Sequence, residues 1–171
     1  MTRTILCFGD SNTHGTPPIL TVGEYRRFDA TTRWPVLAAK ALGWELAEEG
    51  LPGRTAQFDD PVMDGMMNGH PALRQALQSH GPIDVLTLML GTNDVKTRFA
   101  STPAEVVARL SAELPQVDMH EALAASDGEL ALVHTPAYIQ GVATGGLEPA
   151  LQREIGFPWS PAMAERARRS V

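Results

Sequence analysis

Gly9-Asp10-Ser11-Asn12-Thr13-His14-Gly15 follows the apolar run Thr4-Ile5-Leu6-Cys7-Phe8. That run predicts a buried strand ending at Gly9. Ser11 then falls at a sharp turn with its hydroxyl directed outward. Such a place suits a nucleophile, because glycine lets the backbone bend where other residues strain. The same residue types also make an ordinary strand-to-loop turn. The spacing departs from the Gly-x-Ser-x-Gly elbow, since Thr13 stands where the second glycine belongs. Metal chemistry has no pattern to rest on. The five histidines, at 14, 70, 80, 120 and 134, form no His-x-x-x-His or cysteine-bearing motif. No Walker-type glycine loop precedes a helix. Neither a cofactor nor a metal is predicted.

Two further stretches follow in order, Glu48-Glu49-Gly50-Leu51-Pro52-Gly53-Arg54-Thr55 and Leu90-Gly91-Thr92-Asn93-Asp94. Together the three resemble the blocks of the SGNH (GDSL-type) hydrolases. The closer likeness is to the bacterial arylesterase/acyltransferase branch, which shares Cys-Phe-Gly-Asp-Ser, Glu-Glu-Gly-Leu-x-x-Arg-Thr and Met-Leu-Gly-x-Asn-Asp. The resemblance runs to about Pro136 and weakens beyond it. It implies a three-layer αβα, flavodoxin-like α/β fold with a mainly parallel sheet. It also implies a serine ester hydrolase for short acyl or aryl esters, able to transfer acyl groups to alcohols.

Roles carry over residue by residue. Ser11 is the implied nucleophile. The implied oxyanion donors are the backbone N–H groups of Ser11 and Gly53 and the side-chain amide of Asn93. A glycine at 53 lets backbone approach substrate, and an Asn amide donates without charge. The plainer alternatives are a Pro-Gly turn at 53 and a turn cap at 93. Asp10 reads as a structural carboxylate that ties down backbone beside the serine. Asp94 stays open between the same two roles. Arg54 is expected to pair with Asp59 or Asp60, under the loop or as a solvated surface pair. Asn12 and His14 stand where the branch commonly has Leu and Trp, so the acyl pocket should be more polar.

The family's base and its orienting acid form an Asp-x-x-His motif near the C-terminus. No such motif follows Asn93: the last Asp is Asp127 and the last His is His134. The resemblance therefore implies one domain over 1–171 without its C-terminal strand and catalytic loop, a segment of roughly 35–45 residues. His134 is the one candidate substitute base, or else a pocket-wall histidine. Two rival readings remain. One is a non-catalytic SGNH-like remnant that binds small esters or serves as an assembly subunit. The other is a flavodoxin-like domain holding an anion at the Ser11 loop.

The elements that must position these residues alternate strand and helix. Thr4–Phe8, Glu45–Glu49 and Ile83–Leu90 read as strands, the last apolar on both faces as in a covered parallel sheet. Leu130–Val133 reads as a fourth. Helices are expected from Trp34 to the stop at Gly43, from Pro71 to His80, and after the capping box at Thr102-Pro103-Ala104-Glu105. Ser160-Pro161 starts another, with Arg166, Arg168 and Arg169 in its last turn. Residues 12–29 read as a loop over the site, and Gly-rich chain is expected after Pro136. Such an alternation gives an open parallel sheet whose site lies beyond the carboxyl ends of the strands.

At 171 residues and a formal charge of -6, the chain suits a single soluble core. Its acidity argues against nucleic acid or anionic membrane as partner. The lone Cys7 excludes an internal disulfide and reads as a small buried hydrophobe. Met1-Thr2-Arg3 leads straight into the first strand, so a cytoplasmic location is expected. A homo-oligomer is also expected. The branch is commonly oligomeric, and Met63, Met66, Met67, Phe157 and Trp159 suggest apolar groups on loops.

Overall fold

The computed structural model describes residues 2–18, 21, 23–63, 65–115, 117–155 and 158–169; Phe157 lies outside them. The chain divides into two compact units, Met1–Val117 and Asp118–Val171.

The first unit is built on a parallel sheet of three strands in the order β2-β1-β3. These are β1 (Thr4–Gly9), β2 (Glu45–Gly50) and β3 (Val85–Met89). β1 takes the centre because it is apolar on both faces and polar only at its ends. The register sets Ile5 beside Leu46 and Val85, and Gly9 beside Gly50 and Met89. All three strands therefore end level with the turn that carries Ser11.

Alternation along β1 divides the core between two layers. Leu6 and Phe8 face α3 (Gly69–Ser79), packing with Ala47, Leu73, Ala76 and Leu114. Ile5 and Cys7 face the opposite layer, where Ala39 of α2 (Trp34–Leu42) meets them with Trp34, Trp44 and Leu46 around. Helices on both faces of a parallel sheet give the expected αβα layering. Phe8 and Leu6 are fully buried, contributing about 1.5–3 kcal/mol each. Cys7 is also fully buried, and burial raises its thiol pKa, as suits an inert core residue.

Local signals set the helix ends. Asn68 accepts the His70 N–H, so α3 begins at Gly69, two residues before the expected proline. α4 (Pro103–Glu113) carries the reciprocal capping box of Thr102 and Glu105. Its Val106 and Leu110 pack on Ala56 and Leu90.

The second unit corrects two expectations. Leu130–Val133 is not a strand. The Ser126–Glu129 capping box turns the chain into the short helix α5 (Asp127–Leu130), and a turn follows. Leu132 and Val133, at 83% and 75% exposure, gain no sheet neighbour there. The chain after Pro136 is helical: Thr135 caps α6 (Pro136–Thr144), and α7 (Pro149–Ile155) follows. α8 (Pro161–Arg169) starts after Ser160, as anticipated. Its arginines reach outward as well as serving the helix end. Arg168 bonds the Ala125 carbonyl and Asp127, and Arg169 bonds the Ala122 carbonyl. Among the described residues no helix is long and apolar enough to cross a membrane.

Candidate active site

Ser11 opens the helical turn α1 (Ser11–His14). Asp10 is its N-cap: one carboxylate oxygen accepts the Asn12 N–H at 3.1 Å. The Asp10 N–H donates to the Met89 carbonyl at 3.2 Å, and the Leu51 N–H to the Gly9 carbonyl at 3.1 Å. These bonds fasten the first and second motifs to the sheet edge. Gly9 is required by space, since a Cβ there would strike Thr13 Oγ1 and come within 2.7 Å of the Met89 carbonyl. Asp10 thus has the structural role expected of it. It is 1% exposed, and burial raises its pKa ahead of the bonds that lower it.

Asn93 brings the three motifs together. Its amide Nδ2 donates to the Arg54 carbonyl at 3.0 Å and, more weakly, to Asp10 Oδ2 at 3.4 Å. Arg54 follows Gly53, and Asp10 precedes Ser11. Asp94 fixes the same corner from behind. Its two oxygens lie 2.9 and 2.8 Å from the Ala56 N–H, and Gln57 bonds the same carboxylate. This assigns Asp94 a structural role. Fully buried, it has a raised pKa, with desolvation as the chief cause.

Gly53 has φ +90, the left-handed region. A Cβ there would lie 2.5 Å from Met63 Cε, so a methionine of the neighbouring loop covers this glycine. Met67 is buried, while Met63 and Met66 are 43% and 63% exposed.

Arg54 departs from expectation. It pairs with neither Asp59 nor Asp60. Its Nη1 donates to the Gly9 and Glu49 carbonyls, and its guanidinium lies 4.1 Å from the centre of the Phe8 ring. Buried among strand ends, it joins the first motif to the second and has a lowered pKa, desolvation leading. Asp60 is held instead by Arg98, at 2.5 Å, with Lys96 at 3.8 Å. Arg98 lies 38 positions downstream, so local sequence gave no sign of the pairing. Asp59 accepts from Asn68.

Asn12 is exposed on α1 and His14 is buried. His14 bonds two hydroxyls: Nδ1 lies 2.9 Å from Thr16 Oγ1 and Nε2 lies 2.6 Å from Tyr25 Oη. Burial, followed by the Arg27 charge, lowers its pKa. Sequence reading missed Tyr25, whose only signal is an aromatic flanked by charges in a polar loop. It also missed Glu48, which accepts Arg33 at 2.8 Å and Arg27 at 3.0 Å.

His134 belongs to the second unit. It is exposed at the end of the turn after α5, its ring 5.2 Å from that of Tyr138. Among the described residues no hydrogen bond reaches the Ser11 hydroxyl, and no cluster of metal-ligating side chains occurs.

The chain has counterparts among known proteins. The model of the GDSL-like lipase/acylhydrolase family matches residues 7–169. The native aryl esterase of M. smegmatis is similar at 40% identity over 68% of this chain, with a TM-score of 0.63. This chain spans 54% of the length of that structure. Est24, a carbohydrate acetylesterase from Sinorhizobium meliloti, is similar at 31% identity, with a TM-score of 0.63 over 93% of this chain and 83% of its own. None of the curated proteins searched matches. The ordered motifs, the αβα unit and the span of the family match lead to one assignment: the chain belongs to the GDSL-like lipase/acylhydrolase family.

Proposed function

We propose that this chain is a serine ester hydrolase domain over residues 1–171 acting on short acyl or aryl esters, with acyl transfer to an alcohol as the companion reaction. The observation that carries the reading is the Asn93 amide, which bonds beside both Ser11 and Gly53 at the sheet edge. The family match across both units supports treating them as one domain.

In this reading Ser11 Oγ bonds to the acyl carbon as the bond to the leaving alcohol breaks. The serine proton passes to that alcohol through a base. The carbonyl oxygen, charged at the tetrahedral stage, takes hydrogen bonds from the Ser11 and Gly53 N–H groups and the Asn93 amide. Asn93 can turn one N–H to the oxyanion by giving up its 3.4 Å bond to Asp10 and keeping the shorter one to Arg54. Water or an alcohol then releases the acyl group. The partner is a small-molecule ester. Exposed Met63 and Met66, with half-exposed Trp159, support a homo-oligomer; a cytoplasmic, reducing setting suits the single buried thiol.

The second reading is a non-catalytic module that binds small esters. It is favoured by the Ser11 hydroxyl, which has no hydrogen-bond partner among the described residues, since a serine without a base is a weak nucleophile. One assay separates them: hydrolysis of p-nitrophenyl acetate by the chain and by Ser11→Ala, with and without added imidazole as an external base. A serine hydrolase gives a rate that imidazole raises in the parent well beyond the increase with Ser11→Ala. Equal rates for both proteins at every imidazole concentration favour the binding module.

A further inference from the structure

Tyr25 is 76% exposed, yet its hydroxyl lies 2.6 Å from a ring nitrogen of His14, which is only 4% exposed. The two rings meet edge-on at 5.5 Å. His14 stands three residues after Ser11 on α1, so the two side chains share one helix face, with Cβ atoms roughly 5–6 Å apart. The phenol is therefore anchored on the residue one helical turn from the candidate nucleophile.

The segment bearing Tyr25 is fastened by backbone and by charge. The Phe28 N–H donates to the Gly15 carbonyl at 2.7 Å, and Arg27 Nε donates to the His14 carbonyl at 2.8 Å. Arg27 and Arg33 converge on Glu48 at the end of β2. A neutral imidazole has one donor and one acceptor nitrogen, and the hydroxyls of Thr16 and Tyr25 satisfy both in either tautomer. The imidazole thus needs nothing from the ligand. What it offers the site is a fixed anchor for the phenol.

We propose that Tyr25 is a specificity-determining residue that caps the acyl side of the site through His14, admitting short acyl groups and refusing long ones. The assignment rests on the ester-binding reading above. A longer alkyl chain must displace the phenol and strip the buried imidazole of a partner, whereas an acetyl group leaves the contact intact.

The test uses ligands that are not turned over, so it does not depend on a base. The ¹⁵N-labelled chain is titrated with acetanilide and with N-phenylhexanamide, amide counterparts of the aryl esters. Binding is read at the Gly53 and Asn93 amides, and the bond to the phenol at the His14 ring nitrogens. In Tyr25→Ala the affinity ratio should move at least tenfold toward the hexanoyl amide. In Tyr25→Phe the ring remains but its hydroxyl anchor on His14 is gone, so the His14 nitrogen resonances should shift and the ratio should move toward the hexanoyl amide, by less than in Tyr25→Ala; a ratio equal to the parent's would overturn the anchoring role of His14. An unchanged ratio in Tyr25→Ala, with Gly53 and Asn93 still responding, overturns the role of Tyr25 alone. No response at Gly53 or Asn93 to either amide in the parent overturns the ester site, and this proposal with it.

Discussion

Replacing Asp94 by Ala tests how the third motif is held against the second. The carboxylate is fully buried and accepts the Ala56 N–H, itself part of a residue with no exposed surface. Its loss strands that donor and removes the bond from Gln57. A buried unsatisfied donor costs about 1–3 kcal/mol, and hydrogen bonds to a charged acceptor contribute about 1.5–3 kcal/mol. The expected loss is therefore about 2–4 kcal/mol, a large share of the roughly 5–15 kcal/mol that holds a domain. Asp94→Asn keeps one acceptor oxygen and should lose less. Urea unfolding followed by far-ultraviolet circular dichroism measures both.

The pH dependence has a definite sign. Burial raises the Asp94 pKa above its ordinary value, so the stability linked to its protonation is full below that value and fades as pH rises through the raised one. Asn does not titrate. The penalty of Asp94→Asn relative to the parent should accordingly shrink as pH rises above the ordinary aspartate range. A loss in Asp94→Ala below about 0.5 kcal/mol would place Asp94 among ordinary surface positions and refute the latch.

Other outcomes follow from the same geometry. Asn93→Ala should lower turnover by about 10²–10³ as a lost oxyanion donor; a change in KM alone would make it a positioning residue. Gly53→Ala should destabilise by more than the roughly 0.4–1 kcal/mol that alanine gains where the backbone suits it, because φ is positive and Met63 fills the space. A neutral or stabilising result in the same urea assay would contradict that close approach.

What was legible in the sequence was mostly local. The apolar Thr4–Phe8 run and the Thr102–Glu105 box specify their elements through nearest neighbours, and both formed where expected. The site motifs were legible as ordered blocks. Their contacts were not: Arg54 joining Glu49 to Gly9, Asp94 reaching Ala56 and Arg98 reaching Asp60 all depend on strand register and loop paths. The misread fourth strand shows a local conflict. Leu130–Val133 is apolar enough for a strand, but Ser126 and Glu129 close a capping box immediately before it. Tyr25 was missed because its partner lies eleven residues away on an element of another type.

The most direct test of the central claim is to find where an acyl group goes. The chain is incubated with p-nitrophenyl acetate in imidazole buffer, quenched in acid and analysed by intact mass and peptide mapping. The account predicts one acetyl group, on Ser11, absent from Ser11→Ala. Acetylation confined to lysines or the amino terminus, and equal in the two proteins, would contradict it.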